Sequence, residues 1–157
     1  IYFGPYGGGL DDAGVDLIEE AALTLDAGVC HPKSRGEIAL RSADPHDAPV
    51  IRPRLLEHPD DLETTIRGIR RIERILAAPS LARYVAGPYA PKRLEGSDAE
   101  LADYVRSVVR PSLHTAGTCR MGSDALSVVD ERLRVRGLHG LRVADTSIVP
   151  YLPGCNL

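Results

Sequence analysis

Apolar residues recur at steps of three and four over 59–78, where Leu62, Ile66, Ile69, Ile72 and Leu76 form one stripe. That spacing predicts an amphipathic helix. Pro59 suits its first turn, Asp60, Asp61 and Glu63 complement its positive end, and Pro79 stops it. Arg67, Arg70, Arg71 and Arg74 fall mostly off the stripe and predict a solvated face partnered by Glu63 and Glu73. A second helix is expected from Ser97, because Ser97-Asp98-Ala99-Glu100 has the form of a capping box. Leu101, Tyr104, Val105 and Val108 are its expected buried face, and Pro111 ends it.

The remaining pattern has a period of two or none. Glu37-Ile38-Ala39-Leu40-Arg41 alternates as a half-buried strand should. The segment with Pro45, Pro49 and Pro53 is too rich in proline for a central strand. Residues 1–15, rich in glycine and aspartate, read as a loop. Residues 16–30 support two readings, a helix from Val15 to Ala22 or a strand at Leu23-Thr24-Leu25-Asp26. After Pro111 the pattern turns to short β-type segments at Val128-Val129, Leu133-Arg134-Val135 and Leu141-Arg142-Val143, punctuated by Gly137 and Gly140. The whole predicts an α+β fold with strand-rich ends around two helices.

Composition narrows the functional classes. At 157 residues with 43% hydrophobic and 26% charged content, the chain can bury a domain-sized core. A formal net charge of −3, with arginines interleaved among acids, gives no basic surface for nucleic acid. No apolar run is long enough for a transmembrane segment. The 3 cysteines, Cys30, Cys119 and Cys155, are widely spaced and odd in number, which suits reduced thiols in a cytoplasmic protein. No metal site is expected, since Cys30-His31 is an adjacent pair and poor chelating geometry.

Three polar residues near the end are candidates for chemistry. His114 lies between a helix end and a glycine turn, and imidazole moves protons readily near neutrality. Asp145 ends the apolar run Leu141-Arg142-Val143-Ala144 and leads into Thr146-Ser147, where it either presents a carboxylate or caps the following turn. Asn156 follows Pro153-Gly154, and its amide can both donate and accept. A hydrolytic set of Ser112, His114 and Asp145 is disfavoured. Ser112 has no nucleophile elbow and sits only two residues from the histidine.

His114-Thr-Ala-Gly-Thr-Cys-Arg-Met-Gly122, Val129-Asp130, Leu133-Arg-Val-Arg-Gly137 and Leu141-Arg-Val-Ala-Asp-Thr-Ser-Ile-Val-Pro150 together resemble the C-terminal region of the glucose–methanol–choline (GMC) oxidoreductases. Pro32-Lys-Ser-Arg-Gly36, Leu40-Arg-Ser-Ala-Asp-Pro45 and the Asp60-Asp61-Leu62 helix start extend the likeness over about 20–157. Choline dehydrogenase and related alcohol dehydrogenases are the members it most resembles. The resemblance implies a substrate-binding domain of antiparallel sheet flanked by helices over 20–138, with His114 in it. Residues 1–19 are then a loop or truncated end, and 139–157 a segment returning to a largely absent FAD-binding domain.

The implied activity is oxidation of a primary or secondary alcohol, choline-like or another CH–OH donor, with FAD as cofactor. In that picture His114 is the base toward the substrate hydroxyl and Asn156 holds the same oxygen. Ala144, Asp145 and Asn156 then face the cofactor. No Gly-x-Gly-x-x-Gly turn is present and the chain opens on Ile1, so it reads as a piece of a longer enzyme, inactive alone. Its implied partners are an alcohol and the remaining FAD-binding domain. The alternative is a non-catalytic cap or partner module that docks on a separate flavin-binding chain.

Overall fold

The computed structural model describes residues 1–11, 14–92 and 96–154. Six short strands and three helices follow one another: β1 Tyr2–Gly4, β2 Gly8–Asp11, β3 Gly14–Leu17, β4 Thr24–Asp26, β5 Glu37–Ala39, β6 Val50–Arg52, α1 Pro59–Leu76, α2 Pro79–Ala82 and α3 Asp98–Val108. The strands pair as three two-stranded antiparallel ribbons, β1 with β4, β2 with β3 and β5 with β6. The fold is α+β, as expected. The chain divides into two compact units, Ile1–Val29 with Pro59–Val108, and Cys30–His58 with Val109–Leu157.

The first unit holds both long helices. α1 begins at Pro59 with Asp60 and Asp61 in its first turn and Arg74 in its last, complementing the helix dipole at both ends. The capping box at α3 forms as the sequence predicts. Ser97 N–H donates to Glu100 Oε2 at 2.7 Å, and Glu100 N–H donates back to Ser97 Oγ at 3.3 Å. Ile72, Leu101, Ala102 and Val105 are buried where α1 packs on α3. Val108, expected on that face, is 46% exposed, because it sits in the last turn beyond the contact. Gly68 lets β4's neighbour Ala27 approach, since a Cβ there would stand 2.6 Å from the Ala27 methyl.

Arg70 pairs with Glu73 as expected and gains further partners. Its guanidinium joins Asp98 at 2.8 Å and Glu73 at 3.3 Å, and it also donates to Gly96 O. It therefore ties α1 to the start of α3, where a solvated face was expected. The expected loop at 1–15 is also corrected. β1, β2 and β3 occupy it, with Phe3 opposite Leu25 and Gly8 opposite Leu17. Glycine and aspartate disfavour strands locally, but pairing with a partner strand overrides propensity. The same pairing settles 16–30 in favour of a strand, β4.

The second unit carries the β5–β6 ribbon, with Ile38 opposite Ile51. β6 lies between Pro49 and Pro53 in a two-stranded ribbon, a placement that spares any central position. The β-type segments after Pro111 form only isolated bridges: Met121 with Val129, Val129 with Val135, and Arg134 with Arg142. Tight turns between them prevent longer ladders. Val129, with no exposed surface, is the centre of this region.

Replacing Leu101 with alanine removes the most enclosed aliphatic side chain of the helical unit. A loss of about 2–5 kcal/mol is expected in urea denaturation. A loss below about 1 kcal/mol would show that α1 and α3 do not share a packed core.

Candidate functional site

The backbone just after His114 is held by a seam of hydrogen bonds within the second unit. Cys119 N–H donates to Ser147 O at 2.9 Å and Met121 N–H donates to Ile148 O at 2.8 Å. Thr146 Oγ1 donates to Thr115 O at 3.2 Å. The stretch after His114 thus lies along the 3-10 turn Thr146–Ile148. Gly117, at φ +94°, takes a backbone shape that glycine adopts most easily, and a Cβ there would sit 3.5 Å from Val149 O.

Two carboxylates fix the turns below this seam. Asp124 makes a two-pronged pair with Arg120, at 2.7 and 2.8 Å, and accepts from Leu126 N–H at 2.9 Å and Ser127 Oγ at 3.0 Å. Arg120, more than anything else, holds the Asp124 carboxyl far below the usual carboxylate range. Asp130 pairs with Arg134 at 2.6 Å and accepts from the N–H groups of Arg132 and Arg134, each at 2.9 Å. The Arg134 side chain is the chief cause lowering its pKa to about 2. Both clamps close turns within 120–135 around the buried Val129, which is bridged to Met121.

His114 is half-buried and follows Leu113, which is 76% exposed and holds φ +63°. A non-glycine residue in that region carries about 1–3 kcal/mol of strain, a cost often met beside functional groups. Asp145 caps the 3-10 turn and accepts from Ser147 N–H at 2.8 Å. Its carboxyl pKa is lowered by the Ser147 hydroxyl first and the Ser147 amide second. The carboxylate is thus engaged by its own turn. Ala144 and Asp145 are exposed, and among the described residues neither main-chain N–H donates to a backbone carbonyl. Asn156 lies outside the described residues. The structure therefore brings His114, through Thr115, beside the turn that Asp145 opens.

A cavity of about 480 Å³ over 130–142 is lined by Asp130, Arg134, Leu138, His139 and Leu141 among others. It contains neither His114 nor Asp145. Its arginines are already engaged, Arg134 by Asp130 and Arg136 by Gly122 O at 2.6 Å.

Residues 32–157 match the family described as GMC oxidoreductase. This chain belongs to that family. Among curated GMC relatives, the alcohol dehydrogenase [acceptor] of Pseudomonas putida is 46% identical over 147 residues, covering 94% of this chain and 27% of the relative. The choline oxidase of Arthrobacter globiformis is 38% identical over 135 residues, covering 83% and 25%. The pyridoxine 4-oxidase structure from Mesorbium loti superposes with a TM-score of 0.75 at 33% identity, over 81% of this chain and 25% of that one. An FAD-dependent oxidoreductase from Chaetomium thermophilum gives 0.76 at 32%, over 81% and 22%. The chain thus spans about a quarter of the length of the relatives it matches.

Sequence reasoning about this GMC segment missed the seam itself and the Arg120–Asp124 clamp. Main-chain bonds leave no side-chain signature. The clamp did leave one, an arginine and an aspartate four residues apart inside a glycine-rich stretch.

The clamps predict a pH dependence. A carboxyl whose folded pKa is lowered stabilises the fold fully above its unfolded pKa, about 3.9. That stability is lost as pH falls through the folded value. For Asp130 the window runs from about pH 4 down to about 2. Urea midpoints of the parent chain are expected to fall across that window, and those of Asp130→Asn to fall less. Parallel curves would contradict the assignment.

Proposed function

We propose that this chain is the substrate-facing part of an FAD-dependent oxidoreductase that converts a primary or secondary alcohol, choline-like or another CH–OH donor, to an aldehyde or ketone. The observation that carries the proposal is the half-buried His114 held beside the 144–148 turn by the Thr115–Thr146 contact. Family membership supports it, as do relatives that include an alcohol dehydrogenase and a choline oxidase.

The residues fit a flavin cofactor. Ala144 offers only a methyl group, and the main-chain N–H groups of exposed Ala144 and Asp145, which donate to no backbone carbonyl among the described residues, suit an electron-rich edge at close range. When bound, FAD supplies the acceptor for the hydride. The chain's own part is positional and acid–base. His114 removes the hydroxyl proton, which raises electron density at the adjacent carbon and weakens its C–H bond. Asn156 donates to the same oxygen and stabilises its growing negative charge. The seam keeps the backbone just after His114 beside the turn proposed to meet the cofactor.

The remainder of the protein is the expected partner of the exposed apolar surface. The chain exposes 11,697 Å², whereas two separate globules of half its mass would expose about 9,300 Å² together. Leu40, Leu113, Leu126 and Tyr151 are each at least 76% exposed. Residues 139–157 belong, in this reading, to the FAD-binding domain that covers them. No described helix is long and apolar enough to cross a membrane. Cys30 and Cys119 are free thiols, which suits a reducing, cytoplasmic setting.

In the full-length enzyme, His114→Ala is expected to lower turnover about 10²- to 10⁴-fold while FAD stays bound. Steady-state assays with flavin absorbance measured on the same sample check this. Undiminished turnover removes His114 from the base role. The 157-residue chain alone is expected to bind no stoichiometric FAD and to oxidise no alcohol.

A further inference from the structure

The hairpin over 130–142 places like charges opposite one another. Arg134 faces Arg142 across an antiparallel bridge. The flanking bonds run from Val135 N–H to Leu141 O at 3.0 Å and from Val143 N–H to Leu133 O at 3.1 Å. That pattern makes the bridge the narrow, non-hydrogen-bonded kind, whose side chains stand closest. Two cations so placed repel, and the pair costs stability unless anions offset it. Arg136 lines the same cavity of about 480 Å³ as these two.

The hairpin's own acids offset only one of the three charges. Asp130 foremost, and Glu131 after it, act on Arg134. Arg136 donates to Gly122 O at 2.6 Å and Arg142 to Arg132 O at 3.3 Å, both neutral carbonyls. Among the described residues neither of these two pairs with a carboxylate. Leu138 and Leu141, 58% and 50% exposed, line the cavity beside them. Arginine set among apolar side chains is the composition of a protein–protein contact. The chain spans about a quarter of the length of its curated relatives, so most of such an enzyme lies outside it.

We infer that this face docks against an acidic patch of the polypeptide that completes the enzyme, with carboxylates there pairing to Arg136 and Arg142. A guanidinium takes a carboxylate on two parallel N–H bonds, so the contact fixes orientation as well as charge. A carboxylate built into the same protein is also held near the site at high effective concentration, an advantage that a free phosphate or sulfate ion lacks. The leucines supply the apolar part of the contact. The docking holds or fails independently of the role given to His114.

The test compares Arg142→Glu with Arg142→Gln in the full-length, FAD-loaded enzyme. Both variants lose the bond to Arg132 O. Within the hairpin alone, the Glu variant gains an attraction to Arg134 and should be the more stable of the two. Against an acidic patch it sets like charges together and should be the less stable. The melting temperature of Arg142→Glu is expected to lie about 2 °C or more below that of Arg142→Gln. A Glu variant that melts with the Gln variant or above it overturns the inference. Inorganic phosphate, matched against chloride in ionic strength, is expected to leave the parent unchanged. If phosphate stabilises the parent but not Arg142→Gln, a free anion fills the site and the docking is wrong. A crystal structure of the full-length protein is expected to show a carboxylate from outside these 157 residues within about 4 Å of Arg136 or Arg142. Both guanidiniums open to solvent there would overturn the inference as well.

Discussion

Three hydrogen bonds between 115–121 and 146–148 hold the candidate site in place. Two are purely main-chain, from Cys119 to Ser147 and from Met121 to Ile148, and the third runs from the Thr146 hydroxyl to Thr115 O. They join a stretch that follows a histidine to a turn preceded by Ala144 and Asp145, whose N–H groups donate to no backbone carbonyl among the described residues. Main-chain bonds are short-ranged and directional, so they fix spacing far better than apolar contact would. Everything proposed for His114 depends on that spacing.

The seam in turn depends on the clamps beneath it. Arg120 contributes on both sides. Its carbonyl accepts from Val128 N–H at 3.0 Å, and its side chain grips Asp124. Asp130 performs a similar task for the next turn, with Arg134 as cation. Both pairs are solvent-facing, so their value is geometric more than energetic. They close tight turns around the buried Val129 and leave the chain little freedom to slide. Leu113 holds a strained conformation just before His114.

What the sequence disclosed follows from where the determining physics lies. α1 and α3 were legible because their periodicity, acids at the first turn and the Ser97–Glu100 box are all local. β1 to β3 were not, since Gly8, Gly9 and Asp11 favour loops until a partner strand is present. For Arg70 the Glu73 partner was legible, whereas Asp98, 28 residues away, was not. At the site, His114 and Asp145 could be singled out by type and setting. The contact between their segments could not, because two of its three bonds are made by main-chain atoms alone.

The central claim is that the seam aims His114 at a substrate hydroxyl above the flavin. The most direct measurement is a crystal structure of the full-length protein with FAD and an unreactive alcohol analogue. The account predicts a His114 ring nitrogen within hydrogen-bond reach, about 2.6–3.2 Å, of the analogue's hydroxyl oxygen, with the Thr115–Thr146 contact intact. A His114 ring turned away, with a different residue holding that oxygen, would contradict it.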